Sequence, residues 1–332
     1  MIYEYAVEPA LVARWAKDGV VGLAGQFGLD QRRVVSDLPT YWTGEVFAAL
    51  LAEFEYDDGD PNYLQASAFL NGLLAFMNAQ VVSRGLTLQT DRPWLDQALE
   101  IHAQEPFYAV LARSPLAGHA AVITDGIVDQ LQDQRWYLPT MKPTPKTCED
   151  LAATLASLLR GATKIVIVDP YFDPRDANYR DVLAALLGRA AQLRGPGRKM
   201  PSVELIAGVG EGRPDGGAIP VEVQLENESK NRCAWALQHL GPCVPKGMQL
   251  TFRCAANFPD GDKLHNRFVL TDFAGASLPY GTQALGPLVF DDLSLLYRGQ
   301  YEERWRQFTR PERLKAVGAA QVIVGTAKPA AA

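Results

Sequence analysis

Residues 264–272 read LHNRFVLTD, and the reading of this stretch decides the fold. A histidine, an arginine two places on and an aspartate five places after that interrupt an apolar run. Alternation along a strand puts His265 and Arg267 on one face and Phe268 and Leu270 on the other. Asp272 is an odd number of places from His265. It falls on the opposite side of a regular strand, or past its end where the chain turns.

The segments around this stretch alternate between helix and strand. Residues 148–159, CEDLAATLASLL, form an amphipathic helix pattern behind a Thr147/Asp150 capping pair. KIVIVDPYF, 164–172, is a short and nearly continuous apolar run rich in β-branched residues, as expected for a strand buried on both faces. A helix over 178–195 closed by Gly195, a second buried strand at 203–208, a helix around 231–241 and a third strand at 249–254 follow. LHNRFVLTD is then the fourth strand, 292–297 the fifth, and 301–308 a closing helix. Strands alternating with helices predict an α/β sandwich with a mixed sheet. The glycine-rich run 208–217, GVGEGRPDGG, has no Gly-Lys-Ser/Thr ending and reads as a surface loop.

The first hundred residues read differently. Leu11, Val12 and Trp15 share one helical face, and Val46, Phe47, Leu50, Leu51 and Phe54 suggest a second helix. A third starts at Asp60-Pro61, with an aspartate cap and proline in the first turn. Strands are expected at 107–112 and 120–124. Residues 140–147, TMKPTPKT, read as a linker. The expected organisation is a mostly helical domain over 1–104, short strands and a linker over 105–146, an α/β domain over 147–320, and a tail over 321–332.

Composition narrows the function classes. The chain has 332 residues, 48% hydrophobic, and a net charge of −6, so a protein that simply coats nucleic acid is not indicated, while a local basic patch stays open. The four cysteines, Cys148, Cys233, Cys243 and Cys254, form no C-x-x-C pair and have no zinc spacing. They read as thiols in a reducing cytoplasm. The first fifteen residues lack the apolar core of a signal peptide, and no apolar run approaches a membrane span. A soluble, cytoplasmic protein is expected.

The spacing H-x-R-x4-D resembles the H-x-K-x4-D signature of the phospholipase D superfamily, with Arg267 in place of lysine. The order of elements over 147–310 is similar to one half of that fold, and IVDPYFDP resembles its opening strand and exit loop. The resemblance covers about half of the chain and leaves the first hundred residues aside. It implies an αβα sandwich and a metal-independent phosphodiesterase with no cofactor, most plausibly a nuclease. A histidine attacks the phosphorus, a second histidine protonates the leaving oxygen, and cationic neighbours stabilise the phosphoryl oxygens. His265, Arg267 and Asp272 are the catalytic candidates on this resemblance.

The family uses two such motifs. Here none of the other histidines has Lys or Arg two places on and Asp seven places on, so a homodimer would have to bring two copies together. The family's G-[ST]-x-N step is matched at Gly281 and Thr282, while Ala284 replaces the asparagine. Some similar domains with an H-x-R variant are non-catalytic interaction modules, and one such group follows a helical microtubule-interacting and trafficking domain. The resemblance therefore implies either a dimer-dependent nuclease, as in accessory proteins of bacterial defence against phage, or an assembly module, with the N-terminal helices recruiting a partner protein.

Asp169 and Tyr171 lie where the opening strand ends, close enough in the expected sheet to orient His265 or Arg267. Lys230 and Arg232 in 226–232 read as a solvated helix start with phosphate contacts as the alternative. The most basic stretch is 304–315, with Arg304, Arg306, Arg310, Arg313 and Lys315. It reads as a charged outer helix face, or as a nucleic-acid contact with Trp305 and Phe308 interleaved.

Overall fold

The structure is a computed structural model that describes residues 1–21, 23–78, 81–114, 119–124, 136, 138, 141–194, 198–210, 219–257 and 264–327. Residues 211–217 of the glycine-rich loop, Gly195 and residues 328–332 of the tail lie outside the described residues. The chain divides into two compact units, Ile2–Pro139 and Thr140–Ala332. No described helix is long and apolar enough to cross a membrane.

The N-terminal unit is an α/β layer structure. Its described strands are β1 (Tyr3–Val7), β2 (Arg33–Asp37), β3 (Val81–Ser83), β4 (Ala109–Leu111) and β5 (Val122–Ile123). They form an all-parallel sheet in the order β3-β2-β1-β4-β5. The described helices are α1 (Pro9–Lys17), α2 (Trp42–Ala52), α3 (Pro61–Asn78) and α4 (Trp94–Gln104). Leu11, Val12 and Trp15 are buried as their spacing predicts, and Asp60 Oδ1 caps α3 by accepting from Asn62 N at 2.7 Å.

The expectation of a helical domain ending at residue 104 needs correcting. The helices are present, but they pack around a parallel sheet that starts at Tyr3 and takes in the strands expected at 107–112 and 120–124. The sequence YEYAV hides β1 because Glu4 interrupts its apolar pattern. That carboxylate is 4% exposed and takes a two-point ion pair from Arg84, at 2.7 and 3.1 Å. The guanidinium in turn lies 3.8 Å from the ring centroid of Phe107. Removing one partner of such a buried pair costs about 3–5 kcal/mol, because it strands the other charge.

The C-terminal unit is the α/β sandwich with a mixed sheet that the alternation predicts. Among the described residues it has eight strands: β6 (Met141–Lys146), β7 (Lys164–Val168), β8 (Ser202–Gly208), β9 (Gln249–Ala255), β10 (Phe268–Thr271), β11 (Gly275–Ser277), β12 (Gly286–Leu295) and β13 (Ala316–Val324). Their order is β13-β9-β8-β7-β10-β11-β12-β6. β7, β8 and β9 are parallel, and every other pairing is antiparallel.

Among the described residues four α-helices complete the layers: α5 (Cys148–Gly161), α6 (Ala177–Gln192), α7 (Val221–His239) and α8 (Arg298–Thr309). Val166, Val168, Ile206, Phe268 and Leu270 pack against Phe308 of α8, with Trp305 beside them. By the two-residue period Ile165 and Ile167 point to the opposite face, and both are buried. Right-handed crossovers put α5, α6 and α7 on that face, which is why β7 reads as apolar throughout.

Two of the differences from expectation lie at the edges of the sheet. Residues 141–146 are an edge strand rather than a linker. Pro143 and Pro145 lack the N–H that an interior strand would need, and an edge tolerates this. Residues 316–324 form the opposite edge, so the sheet extends past residue 320 into the segment expected to be a tail. The basic stretch 304–315 is also resolved. Phe308 is buried in the core and Trp305 packs beside it half-buried, while Arg306, Arg310, Arg313 and Lys315 are exposed and the Arg304 Cζ lies 5.6 Å from the Phe268 ring centroid.

Candidate functional site

β10 runs antiparallel to β7, with Phe268 opposite Val168 and Thr271 opposite Ile165. The residues that enter β10 therefore meet those that leave β7. His265 and Arg267 come to lie beside Asp169 and Tyr171 at the carboxyl ends of the parallel strands. Open α/β sheets bind their ligands outside this end, at the point where the strand order reverses, and here β10 returns to the other side of β7 after β8 and β9.

The contacts are specific. His265 is exposed, and its Nδ1 shares a hydrogen bond with the Tyr171 hydroxyl at 2.9 Å. The two rings meet edge to face, with centroids 6.1 Å apart. Arg267 lies over the same tyrosine, its Cζ 4.7 Å from the ring centroid. Tyr171 thus touches both motif residues. It leaves Nε2 of His265 as the ring nitrogen not used by the phenol. Among the described residues no acid forms an ion pair with Arg267, and its Nε is buried without a hydrogen-bond partner.

Asp169 anchors the opposite wall. It is 1% exposed and accepts three hydrogen bonds: from Thr282 N at 2.7 Å, from Thr282 Oγ1 at 2.7 Å, and from Tyr171 N at 3.0 Å. These bonds close the loop after β11 onto the end of β7. Gly281 is required in that loop. Its φ is +73°, and a Cβ there would lie 2.7 Å from Asp169 Oδ2 and 3.3 Å from Arg267 Nε. The Tyr179 ring on α6 packs tilted against Phe172, ring centroids 5.3 Å apart. Burial, and next the Asp169 charge, push its hydroxyl up to about 12, so it remains a neutral donor.

Six of the seven residues expected from the sequence therefore meet: His265, Arg267, Asp169, Tyr171, Gly281 and Thr282. Asp272 does not. It sits at the far end of β10, five residues or about 16 Å beyond Arg267. Its carboxylate accepts from Thr163 N at 2.9 Å, Thr163 Oγ1 at 2.5 Å and Lys164 N at 3.3 Å. It fastens the end of β10 to the start of β7 and touches no other site residue. Arg232 donates to the Phe172 carbonyl at 2.9 Å and pairs with Glu228 at 3.0 Å, while Lys230 stays at the surface 4.0 Å from Glu226.

Two residues beneath the loop escaped the sequence reading. Lys146 is fully buried, donates to the Gly281 carbonyl, and reaches the Tyr280 carbonyl at 3.5 Å. Asp291, also fully buried, lies 3.8 Å from Lys146 Nζ and accepts from Tyr280 N at 3.0 Å. Burial pulls the Lys146 ammonium below the usual lysine range and pushes the Asp291 carboxyl up, each against the attraction of the other. Nothing in MKPTPK marked its last lysine as interior. Asp291 follows the apolar PLVF run, and the alternation of β12 alone could have turned it inward.

Compared with protein-family models the chain matches none, and no curated protein is significantly similar to it. The C-terminal unit is a mixed α/β sandwich with a histidine and a guanidinium, the latter in no ion pair among the described residues, set side by side at the seam between its parallel and antiparallel strands.

Proposed function

We propose that the C-terminal unit is a phospholipase D-like domain whose site holds a phosphate ester, with nucleic acid as the ligand class, and that cleavage requires two copies of the chain. The single observation that carries this reading is the pairing of His265 with Arg267 around Tyr171. A guanidinium that forms no ion pair among the described residues and whose Nε is buried without a hydrogen-bond partner is a ready bidentate seat for phosphoryl oxygens. An exposed imidazole with one nitrogen on a phenol has the other free for the phosphorus.

The chemistry on this reading is a double displacement. His265 Nε2 attacks the phosphorus, a P–N bond forms, and the ester P–O bond breaks. The leaving oxygen takes its proton from the His265 of a second copy. Water then gives a proton to the second copy's His265 and attacks the phosphohistidine, the P–N bond breaks, and a phosphomonoester leaves. Arg267 offsets the negative charge of the pentavalent state. The N-terminal unit recruits a partner protein, in the setting of an accessory component of bacterial defence against phage.

A second reading has its own observation in favour. Among the described residues one chain brings one histidine to the site, and a phenol, not a carboxylate, contacts it. A domain that binds phosphate and assembles with partners without turnover needs no more than this.

The test is to incubate wild type and His265→Ala with single- and double-stranded DNA and RNA in EDTA, with molar mass taken in the same buffer. Cleavage by a wild-type dimer that is lost in the variant supports the enzyme. Binding to nucleic acid that Arg267→Ala abolishes, with no cleavage by either protein, supports the module. Neither cleavage nor binding overturns both.

A further inference from the structure

Resting on the proposed phosphate-ester reading, we infer that Lys146 is a buried positioning residue of the site, the second cation behind Arg267, acting through the carbonyl of Gly281. It comes from a different part of the chain, the end of edge strand β6, and its ammonium is fully enclosed.

The argument starts from cost. A lysine is among the residues least often fully buried, and an enclosed ammonium carries a desolvation penalty of several kcal/mol. A purely structural need for a donor to two carbonyls would be met by a smaller neutral group. Here the chain uses a lysine. It places Asp291 at 3.8 Å, too far for a tight ion pair, and gives the ammonium the carbonyls of Tyr280 and Gly281.

Those carbonyls belong to the one loop that determines the site's shape. Gly281 packs against both Asp169 and Arg267, and the next residue, Thr282, supplies two of the three hydrogen bonds to Asp169. The charge is also felt at the site. Asp291 from β12 and Asp169 after β7 attract the ammonium, and Arg267 before β10 repels it. Lys146 and Arg267 are thus two cations that both neighbour Gly281, with the Asp169 carboxylate beside it. An anion seated on Arg267 would relieve the repulsion between them, so Lys146 favours the occupied site.

Inorganic phosphate is the probe, with binding to the full chain followed by calorimetry. Lys146→Met keeps the stem and removes the charge, and Lys146→Arg keeps the charge. Arg267→Ala reports on the site itself. Lys146→Met is expected to weaken phosphate binding about five-fold, with Lys146→Arg recovering part of the loss. The pH profile separates charge from packing. Wild-type affinity should fall as pH rises through the lowered lysine range, whereas Lys146→Arg, charged throughout, should lack that step.

If Arg267→Ala loses phosphate but Lys146→Met binds like wild type, the inference about Lys146 is overturned and the site stands. If Lys146→Arg binds no better than Lys146→Met and wild type shows no step that Lys146→Arg lacks, Lys146 only fills space. If Arg267→Ala binds phosphate as wild type does, the site reading itself fails. Should Lys146→Met not fold, the comparison of wild type with Lys146→Arg across pH decides.

Discussion

Gly281→Ala is the most informative single substitution, because one methyl meets the anchor and the cation together. The left-handed backbone at φ +73° costs a β-carbon about 1–2 kcal/mol. The new Cβ also lies 2.7 Å from Asp169 Oδ2, an oxygen held by Thr282 N and Thr282 Oγ1 at 2.7 Å each. Relief requires the carboxylate to give up at least one of these charge-assisted bonds, worth about 1.5–3 kcal/mol. The total is about 2.5–5 kcal/mol. Gly286→Ala is the matched control. Its φ is +102° and nothing lies within 4 Å of the added carbon, so it carries backbone strain alone. Urea denaturation of both variants should separate them by about 2 kcal/mol, with phosphate affinity lost only in Gly281→Ala. A separation below about 0.5 kcal/mol would refute the packing of the 280–282 loop against Asp169.

Three further outcomes follow from the same geometry. Thr282→Val removes the hydroxyl donor to the buried Asp169 and should cost about 2 kcal/mol in denaturation. Asp272→Ala loses the bonds to Thr163 and Lys164 and should cost about 1–2 kcal/mol while leaving phosphate affinity at the wild-type value. An affinity loss there would return Asp272 to the site. In the N-terminal unit, the hydrogen bond from Lys17 and the nearby Arg113 hold the Glu53 carboxyl below its ordinary value. A depressed carboxylate stabilises above its unfolded pKa, and that stabilisation is lost as pH falls through the folded value. Glu53→Gln should therefore be less stable than wild type at pH 7, by under about 1 kcal/mol, and equal to it near pH 2.

What the sequence made legible depended on whether a residue's neighbours shared its environment. KIVIV announced β7 because both of its faces are covered. The i, i+2 placement of His265 and Arg267 survived because they share one side of the chain as it enters β10. Where burial involved charge or proline, the pattern misled. Glu4 breaks the apolar rhythm of β1, and only Arg84, 80 residues away, explains how it is accommodated. MKPTPK has the composition of a loop, and only its place at the sheet edge makes it a strand. AVGAAQVIV of β13 offers small residues and a glycine at φ +70°, because the Ser229 hydroxyl packs where a side chain would go and donates to the Val317 carbonyl at 2.6 Å. Lys146 was unreadable for the same reason as Arg84. Its partners are a carbonyl and a carboxylate more than a hundred residues on.

The seam between the two halves of the sheet explains why the site can exist in this fold. In an all-parallel sheet the residues at one end are all strand exits, and a motif that enters a strand would point to the other end. β10 reverses direction beside β7, so the two residues before its first turn of ladder meet the two that follow the end of β7. The same reversal separates the ends of LHNRFVLTD. His265 and Arg267 stay at the seam's upper end, and Asp272 is carried the length of the strand to lock Thr163. A motif that looks like a triad in sequence is thus two devices, a site and a clasp, and substitutions at Arg267 and Asp272 should affect binding and stability independently. Their double variant should show the sum of the two single costs in denaturation to within about 0.5 kcal/mol. A larger departure from additivity would mean that the clasp and the site are one unit.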